Sequence, residues 1–139
     1  MAEGTLAARI DQVLAFLPGF ESGTAIGEWR GGDTNADGSI TVPYFEASDF
    51  LLSFVAACSA GRWVRPDFDW GAWQDEAIKY VQDPDLLSQA DLDTLERLLT
   101  LHIRRDRFYD GHLAWAIESG HITAILRRLQ DIRRTDFGA

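Results

Sequence analysis

The segment TLHIRRDRFYDGHLAWAIESGHITAILRRL, residues 100–129, combines helical spacing of apolar residues with the densest group of titratable side chains in the chain. Apolar residues recur at intervals of three and four on either side of Gly111 and Gly120, which predicts helices that end at these two glycines. The segment also holds all three histidines of the sequence, His102, His112 and His121. We therefore expect both the helical core and any functional site here.

Similar apolar stripes upstream of this segment predict further helices. Thr5, Ser48 and Asp91 are each placed to cap a helix, because their side-chain oxygens can accept from a free backbone N–H in the first turn. Another helix begins at or beside Asp69, and Pro18–Gly19 is expected to end the first one. The sequence thus predicts a mostly α (α+β) fold with about five helices packed in one compact domain.

A single two-stranded β-hairpin is expected after the first helix. Residues 26–30 and 40–45 are rich in β-branched and aromatic side chains, and the nine residues between them are dense in turn formers. Asp37-Gly38 can supply the positive φ that a tight hairpin turn requires. Pro43 has no N–H to donate, so the second strand is expected to be an edge strand there.

Composition is that of a single globular domain. The chain has 139 residues, of which 46% are hydrophobic, and this favours one domain over residues 1–139, with a core from about 5 to 132 and a frayed tail at 133–139. The net charge of −9 argues against a nucleic-acid partner, since phosphates are bound through Lys and Arg. Cys58 is the only cysteine, and neither a signal peptide nor a long apolar run is present, so a cytoplasmic protein without a membrane segment is expected.

Several motifs also resemble one family. They are Phe68-Asp69-Trp70, Gly111-His112-Leu113, Ser119-Gly120-His121-Ile122 and Ile125-Leu126-Arg127-Arg128-Leu129. They look like those of an uncharacterised family of small bacterial and archaeal proteins that is known only as a domain of unknown function. The likeness covers most of the chain and is most specific over residues 68–129. The resemblance implies a free-standing single domain, and it brings no activity, cofactor or catalytic residue with it.

The turn DTNADGSIT at residues 33–41 is a candidate calcium site. Asp33, Asn35 and Asp37 occupy the first, third and fifth positions, Gly38 the sixth and Thr41 the ninth, as in the first half of an EF-hand loop. The twelfth position is Tyr44 instead of a bidentate Glu, and the flanking segments are predicted strands instead of helices. The alternative is a polar hairpin turn in which the same side chains bond to each other. No other metal or cofactor is expected.

The histidine–arginine segment is the second candidate site. If its helices fold back on each other, His102, His112 and His121 converge with Asp106 and with Arg104 or Arg107. This arrangement would supply a catalytic base (His112 or His121), an orienting carboxylate (Asp106) and an anion clamp (Arg104, Arg107 and His102). The alternative is structural: the histidines cap helices or bond to backbone in the core, and the arginines pair with the acidic part of the domain.

Two functions therefore stay open. The first is a non-catalytic interaction or regulatory domain that binds a protein partner or a small anionic ligand through residues 100–129. The second is a small hydrolase-like enzyme that acts on a phosphate or carboxylate substrate with a His/Asp/Arg site. The enzyme hypothesis requires two of the three histidines and an arginine to line one concave pocket.

Overall fold

Helices make up most of residues 5–137, the part of the chain that the computed structural model describes. A two-stranded antiparallel hairpin, β1 with β2, lies between the second and third helices. The strands are β1 (Gly27–Arg30) and β2 (Tyr44–Ala47), and a 3-10 turn covers Gly71–Trp73. The helices are α1 (Leu6–Leu14), α2 (Leu17–Ser22), α3 (Asp49–Ala60), α4 (Gln74–Gln82), α5 (Pro84–Leu87), α6 (Leu92–Arg105), α7 (His112–Glu118) and α8 (His121–Phe137).

The mostly helical fold with one hairpin is confirmed, but the expected number of helices was too low. Within residues 5–137, seven helices have six or more residues, and α5 adds a single turn. The hairpin follows two helices instead of one because Pro18 does not end a helix. It lies in the first turn of α2, where a missing N–H breaks no intrahelical hydrogen bond and the fixed φ of proline suits a helix.

The predicted capping residues begin their helices. Thr5 Oγ1 accepts a hydrogen bond of 3.2 Å from the backbone N–H of Ala8, and Ser48 Oγ does the same for Leu51 at 3.2 Å. Asp91 Oδ1 accepts from Thr94 at 2.9 Å and so starts α6, the helix that carries His102. Each cap satisfies an N–H that the helix itself leaves unpaired.

The second strand begins at Tyr44, four residues later than residue 40, where the sequence predicted it to begin. Trp29 pairs with Phe45 in the register of β1 and β2. Beyond Arg30 the ladder is interrupted, because Gly31 and Gly32 both have φ of +81° and Pro43 has no N–H. An isolated bridge between Thr34 and Ile40 continues the pairing toward the turn.

The core is centred on α8 and on α6, which packs against it. α8 packs against α1, α2, α5, α6 and α7, and its residues Ile125, Leu126 and Leu129 have no solvent exposure. Leu95, Leu98 and Leu99 of α6 are equally buried. Burial of such a side chain stabilises a fold by about 1.5–3 kcal/mol, so α6 holds His102 on a firmly packed helix.

Residues 133–137, part of the segment predicted to be a frayed tail, continue α8 as a helix to Phe137. Two contacts hold this last part of the helix. Ile132 is only 7% exposed, and Arg133 Nε lies 2.9 Å from Asp11 Oδ1 of α1. Residues 1–4 and 138–139 of the expected domain lie outside the described residues. None of the described helices is long and apolar enough to cross a membrane.

Candidate functional site

A cleft of ≈ 420 Å³ opens between α4 on one side and α6 and α7 on the other. Its volume is within the range of about 300–1,000 Å³ that is typical of small-molecule sites. The apolar side chains that line it are Ala77, Ile78, Val81, Leu101 and Trp115. The polar side chains are Gln74, Asp75, His102, Arg105 and His112. The cleft therefore has apolar walls and a limited polar region built from three helices.

Helical spacing and one cap bring the polar groups together. His102 and Arg105 are three residues apart on α6, so they share one face of that helix. α7 begins at His112, directly after Gly111, whose φ of +88° reverses the chain. Asp106 at the end of α6 accepts a hydrogen bond of 2.9 Å from the backbone N–H of Leu113. This bond ties the first turn of α7 to the end of α6.

His102 and His112 form a hydrogen-bonded pair. His102 Nδ1 lies 3.0 Å from His112 Nε2, and the two rings are nearly parallel, with centroids 5.2 Å apart. One of the two nitrogens donates and the other accepts, so a single proton is held between the rings. His102 is 1% exposed, and its second nitrogen, Nε2, is buried without a hydrogen-bond partner.

His121 approaches the same pair from α8. Its ring meets that of His102 edge to face, with centroids 4.9 Å apart, so all three histidines converge. His121 Nε2 is also buried without a partner. The side chain lines a separate, smaller cleft of ≈ 120 Å³ together with Tyr80, Leu87 and Gly120. His121 therefore packs against His102 of the pair and does not line the larger cleft.

Burial keeps the three histidines neutral. The pKa of His102 is held well below 6.5, first by desolvation and then by the nearby His121, His112 and Arg105. The pKa of His112 is lowered by burial and by Arg105, while Asp106 acts in the opposite direction. Burial, followed by the proximity of His112, lowers the pKa of His121 to about 4. At neutral pH the permanent positive charge of the cleft is that of Arg105.

Arg105 has polar and aromatic contacts but no ion pair. Its Nη1 donates to Gln74 Oε1, and its guanidinium carbon lies 4.6 Å from the centroid of the Tyr109 ring. Its Nε is buried without a partner. Within residues 5–137, Arg105 has no salt bridge to a carboxylate. The charge at the polar end of the cleft is thus not neutralised by the fold.

The predicted site residues are only partly brought together. Among the residues that line the cleft are His102 and His112, whereas Arg104 and Arg107 are not. Arg107 is exposed, and the carboxylate of Asp106 is bonded to backbone instead of to a histidine ring. Sequence reasoning missed Arg105, although its spacing of three residues from His102 on a predicted helix was a signal for it. Gln74 was missed because it comes from a different helix.

Exposed aromatic side chains follow α6 outside the cleft. Phe108 is 71% exposed and Tyr109 59% exposed, and both adjoin the exposed Arg107. Exposed apolar side chains beside charge are a common feature of surfaces that bind other proteins. The ring of Phe108 also contacts Trp70, with centroids 5.8 Å apart, so part of this surface packs against the domain itself.

The polar groups of the 33–41 turn bond to each other. Asp37 Oδ1 accepts hydrogen bonds from the backbone N–H and the hydroxyl of Ser39, at 2.9 and 2.6 Å, and these bonds lower the pKa of Asp37. Asn35 donates to Ser39 Oγ at 3.0 Å, and its Oδ1 accepts from Thr41 at 3.4 Å. Asp33 contributes its carbonyl oxygen to the N–H of Thr41. Calcium binding by this turn stays a prediction.

No three His, Cys, Asp or Glu side chains within residues 5–137 are arranged to hold a metal ion together. The three histidines meet by ring contacts and one hydrogen bond instead. The chemistry that this arrangement offers is therefore recognition of an anion by Arg105 and hydrogen bonding or proton transfer by the neutral histidine pair.

Comparison with known proteins assigns the chain to a family. A model of a family of unknown function, DUF6508, matches residues 5–135, which is nearly the whole chain. The protein therefore belongs to this family, and the resemblance inferred from its motifs is confirmed. No curated protein and no solved structure matches the chain.

Proposed function

We propose that the protein binds a small anionic molecule in the cleft between α4, α6 and α7. Arg105 holds the anionic group, and the His102–His112 pair and Gln74 supply hydrogen bonds beside it. A small ligand is favoured over a protein partner because the polar groups converge inside a concave cleft of ≈ 420 Å³ instead of spreading over an exposed surface.

The observation that supports this proposal most directly is that Arg105 has no carboxylate partner within residues 5–137. An arginine without a carboxylate partner, beside the neutral imidazoles of buried His102 and half-buried His112, leaves a positive charge available to an anion from outside. In the described part of the chain, six of the eleven other arginines form ion pairs, namely Arg9, Arg30, Arg65, Arg97, Arg127 and Arg133, and Arg105 is the arginine that lines the cleft. Asp75 is the one carboxylate that lines the cleft, and it is exposed at the rim, where solvent screens it.

A thermal-shift panel tests the proposal. Acetate, benzoate, inorganic phosphate, phenyl phosphate and a nucleoside monophosphate are each added to the native protein and to two variants, Arg105→Gln and Arg107→Gln. Both variants lose one positive charge at positions two residues apart, but Arg107 is exposed and outside the cleft. At 100 times its dissociation constant a ligand adds about 2.7 kcal/mol, which raises the Tm of a domain of this size by several degrees.

We expect at least one of these anions to raise the Tm of the native protein and of Arg107→Gln, but not that of Arg105→Gln. An equal shift in all three proteins would mean that the anion binds elsewhere. No shift with any anion of the panel at 10 mM would overturn the proposal.

The second candidate function is hydrolysis of an ester of such an anion. It is favoured by the His102–His112 pair, which is held neutral and lies in one cleft with Arg105. A neutral His112 can take a proton from an attacking water, and its bond to His102 fixes the ring for that step. Asp106, the orienting carboxylate expected for this role, acts on His112 through its charge, which opposes the lowering of the imidazole pKa by burial, while its Oδ1 accepts a hydrogen bond from the backbone N–H of Leu113.

Turnover separates this second candidate from simple binding. p-Nitrophenyl acetate and p-nitrophenyl phosphate are incubated with the native protein, with His112→Gln and with Arg107→Gln as control. Release of p-nitrophenol that depends on His112 and survives in the control would establish catalysis. A rate that is equal in all three proteins would assign the reaction to surface groups or buffer.

A further inference from the structure

We infer that the ligand of the cleft is a monocarboxylic acid with an apolar body, not a phosphate ester or another dianion. The inference rests on the proposed function, because it names the chemical class of the anion that binds there. It follows from the charge of the cleft, from the hydrogen bonds that its polar end can offer, and from its walls.

The cleft offers one permanent positive charge to an anionic ligand. Arg105 is the only permanent cation among the residues that line it, and Asp75 at the rim is negative. His102 is buried and His112 is half-buried, and the lowered pKa of each leaves it neutral at pH 7, so they add no positive charge. A phosphate monoester carries about 1.5 to 2 negative charges at that pH, and it would bring excess charge into a site that has one cation to offset it.

The hydrogen-bonding groups fit a flat acceptor with two oxygens. Gln74 Oε1 accepts from Nη1 of Arg105 and so fixes the plane of the guanidinium. Nη2 has no hydrogen-bond partner among residues 5–137. A planar guanidinium recognises a carboxylate through parallel N–H groups. His112 adds one further donor, its Nδ1–H, in the tautomer in which His102 Nδ1 supplies the proton between the rings, because a neutral imidazole carries a single N–H.

The walls of the cleft require an apolar ligand body. Ile78 is 50% exposed and Trp115 is 47% exposed, and both line the cleft with Val81 and Leu101. Covering such surface contributes about 25 cal/mol for each Å² removed from water. A small polar anion such as acetate leaves this surface open, whereas an aryl-alkyl acid covers it while its carboxylate reaches Arg105.

Four matched probes test the inference by NMR titration of the full-length protein at pH 7.5. 3-Phenylpropionate carries the carboxylate and the apolar body, and 3-phenylpropionamide has the same shape without the charge. Phenethyl phosphate has a similar apolar body with a dianionic phosphate, and acetate has the carboxylate without the apolar body. The indole and backbone N–H signals of Trp115 report on the cleft, and the backbone N–H signals of residues 107 and 108 report on the surface outside it.

We expect 3-phenylpropionate to bind at the cleft at least tenfold more tightly than each of the other three probes, which corresponds to about 1.4 kcal/mol. Arg105→Gln should lose at least this factor, Arg105→Lys should lose part of it, and Arg107→Gln should match the native protein. The melting temperatures of the variants are measured alongside, so that a folding defect is recognised.

The outcomes distinguish the ligand class from the proposed function. Tighter binding of phenethyl phosphate that depends on Arg105 would overturn the monocarboxylate and leave an anion site in the cleft. Equal binding of the acid and the amide, unchanged in Arg105→Gln, would overturn both. If none of the four probes shifts the Trp115 signals at 10 mM, the monocarboxylate class is overturned, and anion binding is judged on the broader Tm panel.

Discussion

Trp29 of β1 lies against the backbone of Gly111, so closely that a Cβ atom on Gly111 would overlap ring atoms Cζ2 and Cη2 of the indole. Gly111 also has a φ of +88°, which glycine adopts far more readily than other residues. The same turn receives a second contact from the hairpin, since the N–H of Phe45 donates to Asp110 Oδ2 at 2.7 Å. The hairpin thereby supports the turn that places His112 in the cleft.

Gly111→Ala should destabilise the protein more than Gly120→Ala does. Both glycines have nearly the same positive φ, +88° and +87°, so the backbone cost is similar, about 1 kcal/mol each. A Cβ on Gly120 meets no atom within 4 Å, whereas one on Gly111 displaces the indole. Urea denaturation of both variants measures the difference. Adding Trp29→Ala to Gly111→Ala should reduce the excess loss, and equal losses in the two single variants would contradict the role of the Trp29 contact.

Stability should fall as the pH drops from about 6.5 toward 4. The unfolded chain then binds a proton at His121 that the folded protein, with a pKa of about 4 at this residue, does not bind. Lower pH therefore favours the unfolded state, and the shift corresponds to about 3 kcal/mol once the pH reaches the lower pKa. His102 acts in the same direction, because its pKa is also depressed.

Urea denaturation at pH 7.5, 6.5, 5.5 and 4.5 measures this slope. The pKa values of Asp91 and Asp37 are lowered below 3.8, so the loss of stability from protonating these two carboxylates comes mainly below this range. His121→Gln should give a shallower pH dependence than the native protein over the same interval. An identical slope in both would show that His121 does not cause the acid sensitivity.

Thr100→Val should cost about 1–3 kcal/mol of unfolding free energy. Thr100 is fully buried, and its hydroxyl accepts from the backbone N–H of Arg65 at 3.0 Å. Its single hydrogen is shared between the carbonyl oxygens of Glu96 at 2.8 Å and Trp63 at 3.0 Å. Valine keeps the shape but leaves these backbone groups unsatisfied. Thr100→Ser keeps the hydroxyl and should lose less, so a Ser variant as unstable as the Val variant would point to packing instead. Thermal or urea denaturation of both variants gives the comparison.

Cys58 should be inert toward thiol reagents in the native protein. It has no solvent exposure, and burial raises the pKa of its thiol to about 12. The reactive thiolate is therefore rarer by about a thousandfold than for an ordinary cysteine, and access is blocked as well. Reaction with a disulfide reagent at pH 8 is followed by absorbance, with urea-unfolded protein as the control. Rapid labelling of the folded protein would contradict the burial of Cys58.

Features of the helical fold that depend on a single local interaction could be predicted from the sequence. Thr5, Ser48 and Asp91 cap helices as predicted. The backbone N–H that each side-chain oxygen accepts has no partner within the helix, so water is the only competing acceptor. The prediction that Pro18 ends a helix was wrong, because a proline can either end a helix or lie in the first turn of the next one. Which of these occurs depends on how Leu17 packs into the core, and the local sequence does not contain that information.

The candidate site was only partly predictable for a similar reason. Helical spacing relates His102 to Arg105 within α6, so this half of the site was within reach of a sequence argument. Gln74 and Trp115 join the cleft from α4 and α7 through the way these helices pack. Asp106 is close enough to His112 for its charge to oppose the lowering of the imidazole pKa by burial, but its hydrogen bond goes to the N–H of Leu113 at the start of α7 instead of to a histidine ring. A sequence pattern does not reveal which of two acceptable partners a carboxylate takes.

The bond between Phe45 and Asp110 has a further consequence for the solubility of the folded chain. Trp29 and Phe45 face each other in the register, and the N–H of Phe45 points away from β1 to the outer edge of β2, where Asp110 accepts it. An unpaired strand edge is a template on which another chain can add a strand and start aggregation. A carboxylate at the middle of this short edge removes one donor and places a negative charge where an incoming backbone would lie. Asp110 therefore protects the hairpin from edge-to-edge association.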